Sequence, residues 1–444
     1  MTRAFTPDPH VTKVIDIRAS RRALIAGSLG NLVEWYEFAI YAYMAPIIAP
    51  LFFPSQSSTA AIMSTFLLFA LAFFLRPVGA LIFGRLTDRI GRGPVLAVII
   101  GLMAAATTCI GLLPTHAQIG MWAPILLTTC RIAQGISAGG EMGGAVSLLV
   151  ESAPIRRRGL YGSWALVGTT MGYVLGGGVA TAISVALSEE ALQEWGWRVG
   201  FLIAAPLGLV VFYLRTKVDE TPHFKHVQAE RQPGASTNIA ESDNFPRYTV
   251  RYLVATVGVI IVYTGIGNIF LVGMPTLLSN SYSMSFHESY FLAMVTGLST
   301  AVAMPIFGAL SDRIGRPPVL MAGATSVVIL SYPLYLMLSM GFAGGLVALA
   351  IAGFLIGIVG GPTPAFLAER FRTRNRATGV SVSYAISVAL FGGTAPYVIT
   401  WLASTTGNPR SPAYYTILCA GLSVLALLSI RGSQRKNHLA DLRD

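Results

Sequence analysis

Gly84-Arg85-Leu86-Thr87-Asp88-Arg89-Ile90-Gly91-Arg92-Gly93-Pro94 returns 224 positions later as Gly308-Ala309-Leu310-Ser311-Asp312-Arg313-Ile314-Gly315-Arg316-Pro317-Pro318, agreeing at eight of eleven places without a gap. Each copy is wedged between long apolar runs. A charged loop repeated at matching places in an apolar chain marks a duplicated membrane unit, and many secondary transporters are built from such repeats.

The composition agrees. Hydrophobic residues make up 54% of the 444 and charged residues 11%, where a soluble domain carries about 25% charged residues. A helix needs roughly 20 apolar residues to cross a bilayer. Twelve such runs are present, near 23–52, 60–83, 94–114, 121–150, 159–187, 196–214, 252–279, 289–310, 318–340, 343–368, 378–403 and 412–430. None alternates in the manner of a membrane β-barrel. The expected fold is an all-α membrane protein with twelve transmembrane helices in two six-helix bundles related by pseudo-two-fold symmetry. The bundles are expected at 1–215 and 251–444. They are joined by a polar linker, 216–250, that carries Pro222, Pro233, Gly234 and Pro246.

The net charge of +11 has a topological reading and does not point to nucleic acid. With both termini in the cytoplasm, all 31 Lys and Arg except Arg76, Arg131, Arg198 and Arg410 fall on the cytoplasmic side. The positive-inside rule then orients the chain in the cell membrane. A second repeat supports the halves: Glu151 with Arg157-Arg158-Gly159, and Glu369 with Arg376-Ala377-Thr378-Gly379. The first apolar run is too long for a signal peptide's core and is expected to stay as the first span.

Charge inside the spans is the sharper signal. At the bilayer centre it costs about 2.5–3.5 kcal/mol even on the lenient scale, so it faces the bundle interior and usually works. The first span holds Glu34 and Glu37, the second Arg76, the fourth Arg131 and Glu141. The C-terminal half has no clear equivalent, since Glu288 falls at the outer end of the eighth span. Two nearby acids in low dielectric make a reversible proton carrier, and a guanidinium fork suits a carboxylate. The bland alternative is an ion pair, Arg131 or Arg76 with a glutamate, that only holds helices together. In the repeated loop, Gly84, Asp88, Arg89, Gly91 and Arg92, with Gly308, Asp312, Arg313, Gly315 and Arg316, are expected to form a conformational latch, each Asp capping the following helix or pairing with Arg. Glycine ladders in the fourth, fifth and tenth spans, such as Gly168, Gly172, Gly176 and Gly177, are expected to pack helices closely.

Other chemistries are excluded. Gly135-Ile136-Ser137-Ala138-Gly139 fits a hydrolase pattern, but that motif needs a strand–turn–helix elbow and here lies in an apolar helix. His223 and His226 lack further metal ligands, and Cys109, Cys130 and Cys419 have no metal spacing. None of the four lysines follows a glycine, so there is no nucleotide-binding loop. The expectation is a transporter and not an enzyme, with no cofactor, no nucleic acid and no obligate protein partner.

The residues resemble the major facilitator superfamily and, within it, the metabolite:proton symporter family. The repeated loops look like the superfamily signature. The finer likeness lies in Gly30-Asn31-Leu32-Val33-Glu34-Trp35-Tyr36-Glu37-Phe38, in Arg131-Ile132-Ala133-Gln134-Gly135 followed by Gly139-Gly140-Glu141-Met142-Gly143-Gly144, and in Phe391-Gly392-Gly393-Thr394-Ala395-Pro396. The resemblance implies import, with protons, of a small organic acid such as citrate or 2-oxoglutarate, or of a zwitterion such as proline or betaine. It lands on Glu34, Glu37 and Glu141 as proton-coupling residues and on Arg131 as a substrate contact, with Asn31, Arg76, Gln134 and Tyr384 beside it. The first expectation is proton-coupled import of a carboxylate metabolite by alternating access. The alternatives are uptake of a zwitterionic compatible solute, efflux, or a non-transporting receptor. Three departures bear on this. Glu37 stands where the family more often has Asp, and Ala385 where it often has Asn. Tyr173 replaces the proline of the superfamily's antiporter motif, which speaks against an exporter. The fourteen residues after Ile430 are too few for the coiled coil of osmosensory proline/betaine members.

Overall fold

The computed structural model describes residues 17–54, 57–90, 92–139, 143, 146–147, 149–150, 153–216, 250–371 and 376–437. Among them are helices and no strand. In the N-terminal half, α1 (Ile17–Tyr43) runs on into α2 (Ala45–Phe52), and α3 (Ser58–Phe74) into α4 (Arg76–Ile90). Then come α5 (Arg92–Leu112), α6 (Trp122–Ser137) and α7 (Arg158–Ala186), and α8 (Trp197–Leu202) running into α9 (Ala204–Thr216). In the C-terminal half, α10 (Val250–Asn268) leads to α11 (Met274–Ser281). After it stand α12 (Phe286–Ile314) and α13 (Arg316–Leu338). Next, α14 (Gly341–Gly360) leads to α15 (Thr363–Arg370), α16 (Arg376–Ser387) to α17 (Ala395–Thr406), and α18 (Pro412–Asn437) closes the chain. Chained this way they make twelve rods, six in each half. Among the described residues, nine helical stretches are long and apolar enough to cross a membrane, and Ala97–Leu112 is a shorter one.

The breaks within rods have a local cause. Proline lacks an N–H and its ring crowds the preceding turn, so a helix restarts on it. A proline at the first or second position opens α2, α11, α15 and α17. Before α11 and α17 the backbone widens into π-helical turns, Ile269–Gly273 and Val388–Gly392. Such turns keep buried amides bonded where lipid offers no partner. At the start of α12 the Ser285 hydroxyl accepts from the Glu288 amide, while Glu288 accepts from the Ser285 amide at 2.9 Å. That reciprocal cap puts Glu288 at the helix end, as its position in the sequence suggested.

The halves meet along α7 and α12, which run antiparallel. A Cβ on Gly308 would lie 2.7 Å from the Gly159 carbonyl oxygen, and one on Gly297 2.6 Å from a Val174 methyl. Within the N-terminal half, Gly172 seats α7 on α1, where a Cβ would come 2.5 Å from the Leu32 carbonyl oxygen. The glycine ladders are packing surfaces, as expected.

Candidate functional site

Three helices of the N-terminal half, α1, α4 and α6, bring Glu34, Glu37, Arg76 and Arg131 into one cluster, each held differently. Glu34, on α1, accepts from Arg76 Nη2 of α4 at 2.9 Å, and both side chains are buried. The Arg76 guanidinium stacks over Trp35, Phe38 and Phe73, with Cζ 5.1, 4.9 and 4.6 Å from the ring centroids. For this pair the bland alternative describes the contact: a buried ion pair ties α1 to α4.

Arg131 behaves otherwise. Its side chain is wholly buried, and among the described residues it forms no ion pair. Nη1 donates to Gln134 Oε1 at 2.7 Å, Nη2 reaches the Phe69 carbonyl oxygen at 3.5 Å, and Nε has no partner. Three rings surround it, with Cζ 4.0 Å from the Tyr41 centroid, 5.2 Å from Phe38 and 5.5 Å from Phe69. A guanidinium out of water costs several kcal/mol unless an opposite charge and hydrogen bonds compensate. Ring faces can each return about 2 kcal/mol when desolvated. Among the described residues no carboxylate meets the fork.

Glu37 stands one turn beyond Glu34 and meets no cation among the described residues. It is 1% exposed, and the Thr107 hydroxyl of α5 donates to its Oε2. That hydroxyl also lies 3.0 Å from the Met103 carbonyl oxygen and accepts from Gln134 Nε2 at 2.6 Å. Arg131 can only donate, so Gln134 must turn its oxygen to Arg131 and its nitrogen to Thr107. The bonds therefore run head to tail, Arg131 to Gln134 to Thr107 to Glu37. Beside Glu34 and Glu37 is a cavity of about 20 Å³, lined further by Gly30, Met103, Ser137 and Val211. It is large enough for one water and lies wholly within the N-terminal half.

The remaining candidates divide. Tyr384, buried on α16, lies within electrostatic reach of Arg76, Glu34 and Tyr173, so the C-terminal half faces the cluster through it. Asn31 instead ties α1 to α7, its Nδ2 donating to the Ala165 carbonyl oxygen at 3.3 Å, and its Oδ1 has no partner. Glu141 and Gly91 lie outside the described residues, as do the side chains of Asp88, Arg89 and Arg92; Gly84 belongs to α4.

The second copy of the loop does not cap the helix that follows it. Asp312 accepts from the amides of Gly159 and Leu160 at 2.8 and 2.9 Å, at the start of α7 in the other half. Two orphan amides and the positive helix end are thus satisfied across the interface. Arg316 holds Asp312 at 2.7 Å and reaches Glu369 with Nη2 at 3.0 Å. Gly315 takes φ +94° between α12 and α13, a conformation suited to glycine. Arg313 is exposed and takes no part in the network. Glu369 and the α7 amides could not be picked out as partners, because nothing local in the sequence links them to Asp312. At the opposite end the Tyr43 hydroxyl donates to the Leu271 carbonyl oxygen at 2.7 Å, and the Tyr290 hydroxyl to the Tyr43 carbonyl oxygen at 2.8 Å. The interface between the halves is thus bonded at both ends. Charge-assisted hydrogen bonds contribute about 1.5–3 kcal/mol each. Asp312→Ala should therefore speed amide deuterium exchange of the peptide holding Gly159 and Leu160 by about tenfold or more. An unchanged rate would show that Asp312 does not hold this end shut.

Comparisons with known proteins agree with this architecture. The family model described as Major Facilitator Superfamily matches residues 27–393 and 255–440. The proline/betaine transporter of Salmonella typhimurium is 33% identical over 94% of this chain and 85% of its own length. The glycine betaine/proline/ectoine/pipecolic acid transporter OusA of Dickeya dadantii is 34% identical over 95% and 85%. A putative proline/betaine transporter of Staphylococcus aureus is 35% identical over 94% and 89%. Among solved structures, a D-xylose-proton symporter superposes with a TM-score of 0.73 at 19% identity, covering 92% of this chain and 96% of that one. XylE bound to 6-bromo-6-deoxy-D-glucose gives 0.74 at 17%, covering 94% and 96%. At those identities the likeness is one of fold. On the family match and the relatives above 30% identity, the chain belongs to the Major Facilitator Superfamily, as a multi-pass membrane transporter and not an enzyme.

Proposed function

We propose that the protein takes up a small zwitterionic solute of the proline or betaine kind, driven by a proton that Glu37 carries. The observation that carries this reading is Arg131, 0% exposed and without an ion-pair partner among the described residues. A solute carboxylate would supply the missing charge and fill the fork. Aromatic rings surround the same side chain, and ring faces receive a substituted ammonium well. In this state Arg76 covers Trp35, Phe38 and Phe73, and a solute cation would compete for those faces. An organic anion such as citrate needs only the Arg131 half of that arrangement. The relatives' named solutes are zwitterions, which supports the compatible-solute reading over the carboxylate expected first. Proton coupling is supported by a buried Glu37 that meets no cation among the described residues. The repeated loops, the 216–250 linker and both termini belong on the cytoplasmic side in this proposal, because the basic residues gather there.

Reconstituted vesicles with an imposed proton gradient test it. Labelled proline and glycine betaine should accumulate, citrate and 2-oxoglutarate should not, and a protonophore should abolish accumulation. A gradient of about two pH units supports up to about hundredfold accumulation at one proton per solute. Accumulation of the organic acids alone would overturn the solute assignment. Uphill uptake that survives the protonophore and follows sodium would overturn the coupling ion.

A further inference from the structure

We propose that Thr107 and Gln134 form the coupling relay, a hydrogen-bond chain through which the proton on Glu37 sets how strongly Arg131 binds the solute's carboxylate. The proposal rests on the proton and carboxylate roles given to Glu37 and Arg131 above and assigns the link between them.

With Glu37 ionised, every donor in the chain points the same way, from the Arg131 cation to the Glu37 anion. Such a chain polarises along its length, and a low dielectric strengthens it. It holds the guanidinium's charge toward α1 and away from a solute. A proton arriving at Glu37 Oε2 makes an O–H that must donate, and Thr107 Oγ1 is the acceptor in reach. The Thr107 hydrogen then turns to the Met103 carbonyl oxygen at 3.0 Å, which already stands in place. Glu37 and Thr107 each keep a hydrogen-bond partner in both states, so the switch carries little penalty of its own. It removes the anion at the far end of the chain. Arg131, still buried and still charged, then has no remote counter-charge, and an arriving carboxylate binds it more tightly. By linkage the solute raises the affinity of Glu37 for its proton by the same factor.

The surroundings favour this route. Among the described residues, the titratable side chains within electrostatic reach of Glu37 are Glu34 and Tyr36, both on α1 itself. Glu34 is engaged with Arg76. The Tyr36 hydroxyl donates to the Gly200 carbonyl oxygen at 2.6 Å, and the Tyr41 hydroxyl to the Thr65 carbonyl oxygen at 3.0 Å. Around Glu37, α5 and α9 contribute Ile99, Ile100, Met103, Thr107 and Val211, none of them charged. The one-water cavity touches both glutamates and is lined by residues of the N-terminal half. Thr107 and Gln134 touch neither of the expected ligands' charges directly except through Glu37 and Arg131, and they are positioning residues.

The test is the ratio of solute Kd at alkaline pH to that at acid pH, measured on the purified full-length protein with labelled proline. Coupling of this kind is typically about 5- to 150-fold, and the wild type should fall in that range. Thr107→Val keeps the shape and removes the hydroxyl, so the ratio should collapse toward one. Thr107→Ser should restore it. Gln134→Met cuts the chain at its middle and should flatten the ratio independently, which covers a Val variant that fails to fold. A purely structural role would change stability or overall affinity and leave the ratio alone. Glu37→Gln separates the layers. If it flattens the ratio while Thr107→Val and Gln134→Met keep the wild-type value, the relay is overturned and the proton site stands. If Glu37→Gln keeps the wild-type ratio, the proton site itself is elsewhere and the relay falls with it.

Discussion

Glu37→Gln should abolish uphill accumulation and leave solute exchange running. The amide cannot ionise, so the side chain stays in the state that a bound proton creates. Its nitrogen can still donate to Thr107 and its volume is unchanged, so the α1–α5 contact survives. A carrier locked in that state binds solute and moves it in either direction, but the proton gradient no longer does work on it. At about two pH units the loss is up to about hundredfold in the accumulation ratio, while counterflow of labelled against unlabelled solute at equal pH continues. Comparing the two assays in one vesicle preparation separates loss of coupling from loss of folding, since a misfolded variant fails both. If the variant accumulates solute as the wild type does, the proton rides elsewhere. Glu34 would be the next candidate, despite its bond to Arg76.

The architecture was legible because its signals are long or repeated. Twelve apolar runs, a duplicated loop and one-sided Lys and Arg each record a bulk property of lipid or water, and no tertiary contact is needed to see them. The site was legible in its charges and illegible in its pairings. Glu34 and Glu37 look alike three positions apart, yet one meets Arg76 and the other Thr107. What separates them is which neighbour each helix face turns toward, a fact of packing that a single sequence does not carry. Thr107 is a neutral residue in an apolar run, and such residues commonly bond back to their own helix, as Thr108 does to the Ala104 carbonyl oxygen at 2.7 Å. Only the approach of α5 to α1 and α6 turns it into a link between an acid and an amide. The second loop was legible in one of its contacts: Asp312 pairs with Arg316, four positions on, while its bonds to the α7 N-terminus join segments far apart in sequence. The preference for a carboxylate metabolite came from counting charges, which weighs Arg131 heavily and aromatic walls not at all.

Arg131→Lys should weaken carboxylate binding by about 10- to 150-fold. Lysine keeps the charge, and its ammonium can still donate to Gln134, so the buried cation and the α6 anchor are retained. What goes is the planar fork that grips both carboxylate oxygens and stacks on Tyr41 at 4.0 Å. Losing one charge-assisted hydrogen bond of a bidentate pair costs about 1.5–3 kcal/mol, and each 1.4 kcal/mol is about tenfold. Affinity alone would not isolate the contact, because a shifted helix would also lower it. The ratio of affinities for proline and for its amide does isolate it, since the amide lacks the carboxylate and shares the ring. The wild type should favour proline strongly, and the lysine variant should lose most of that preference while its affinity for the amide barely moves. A preference that survives the substitution would mean that Arg131 serves only Gln134 and the three rings, and that the solute's carboxylate is met by another cation.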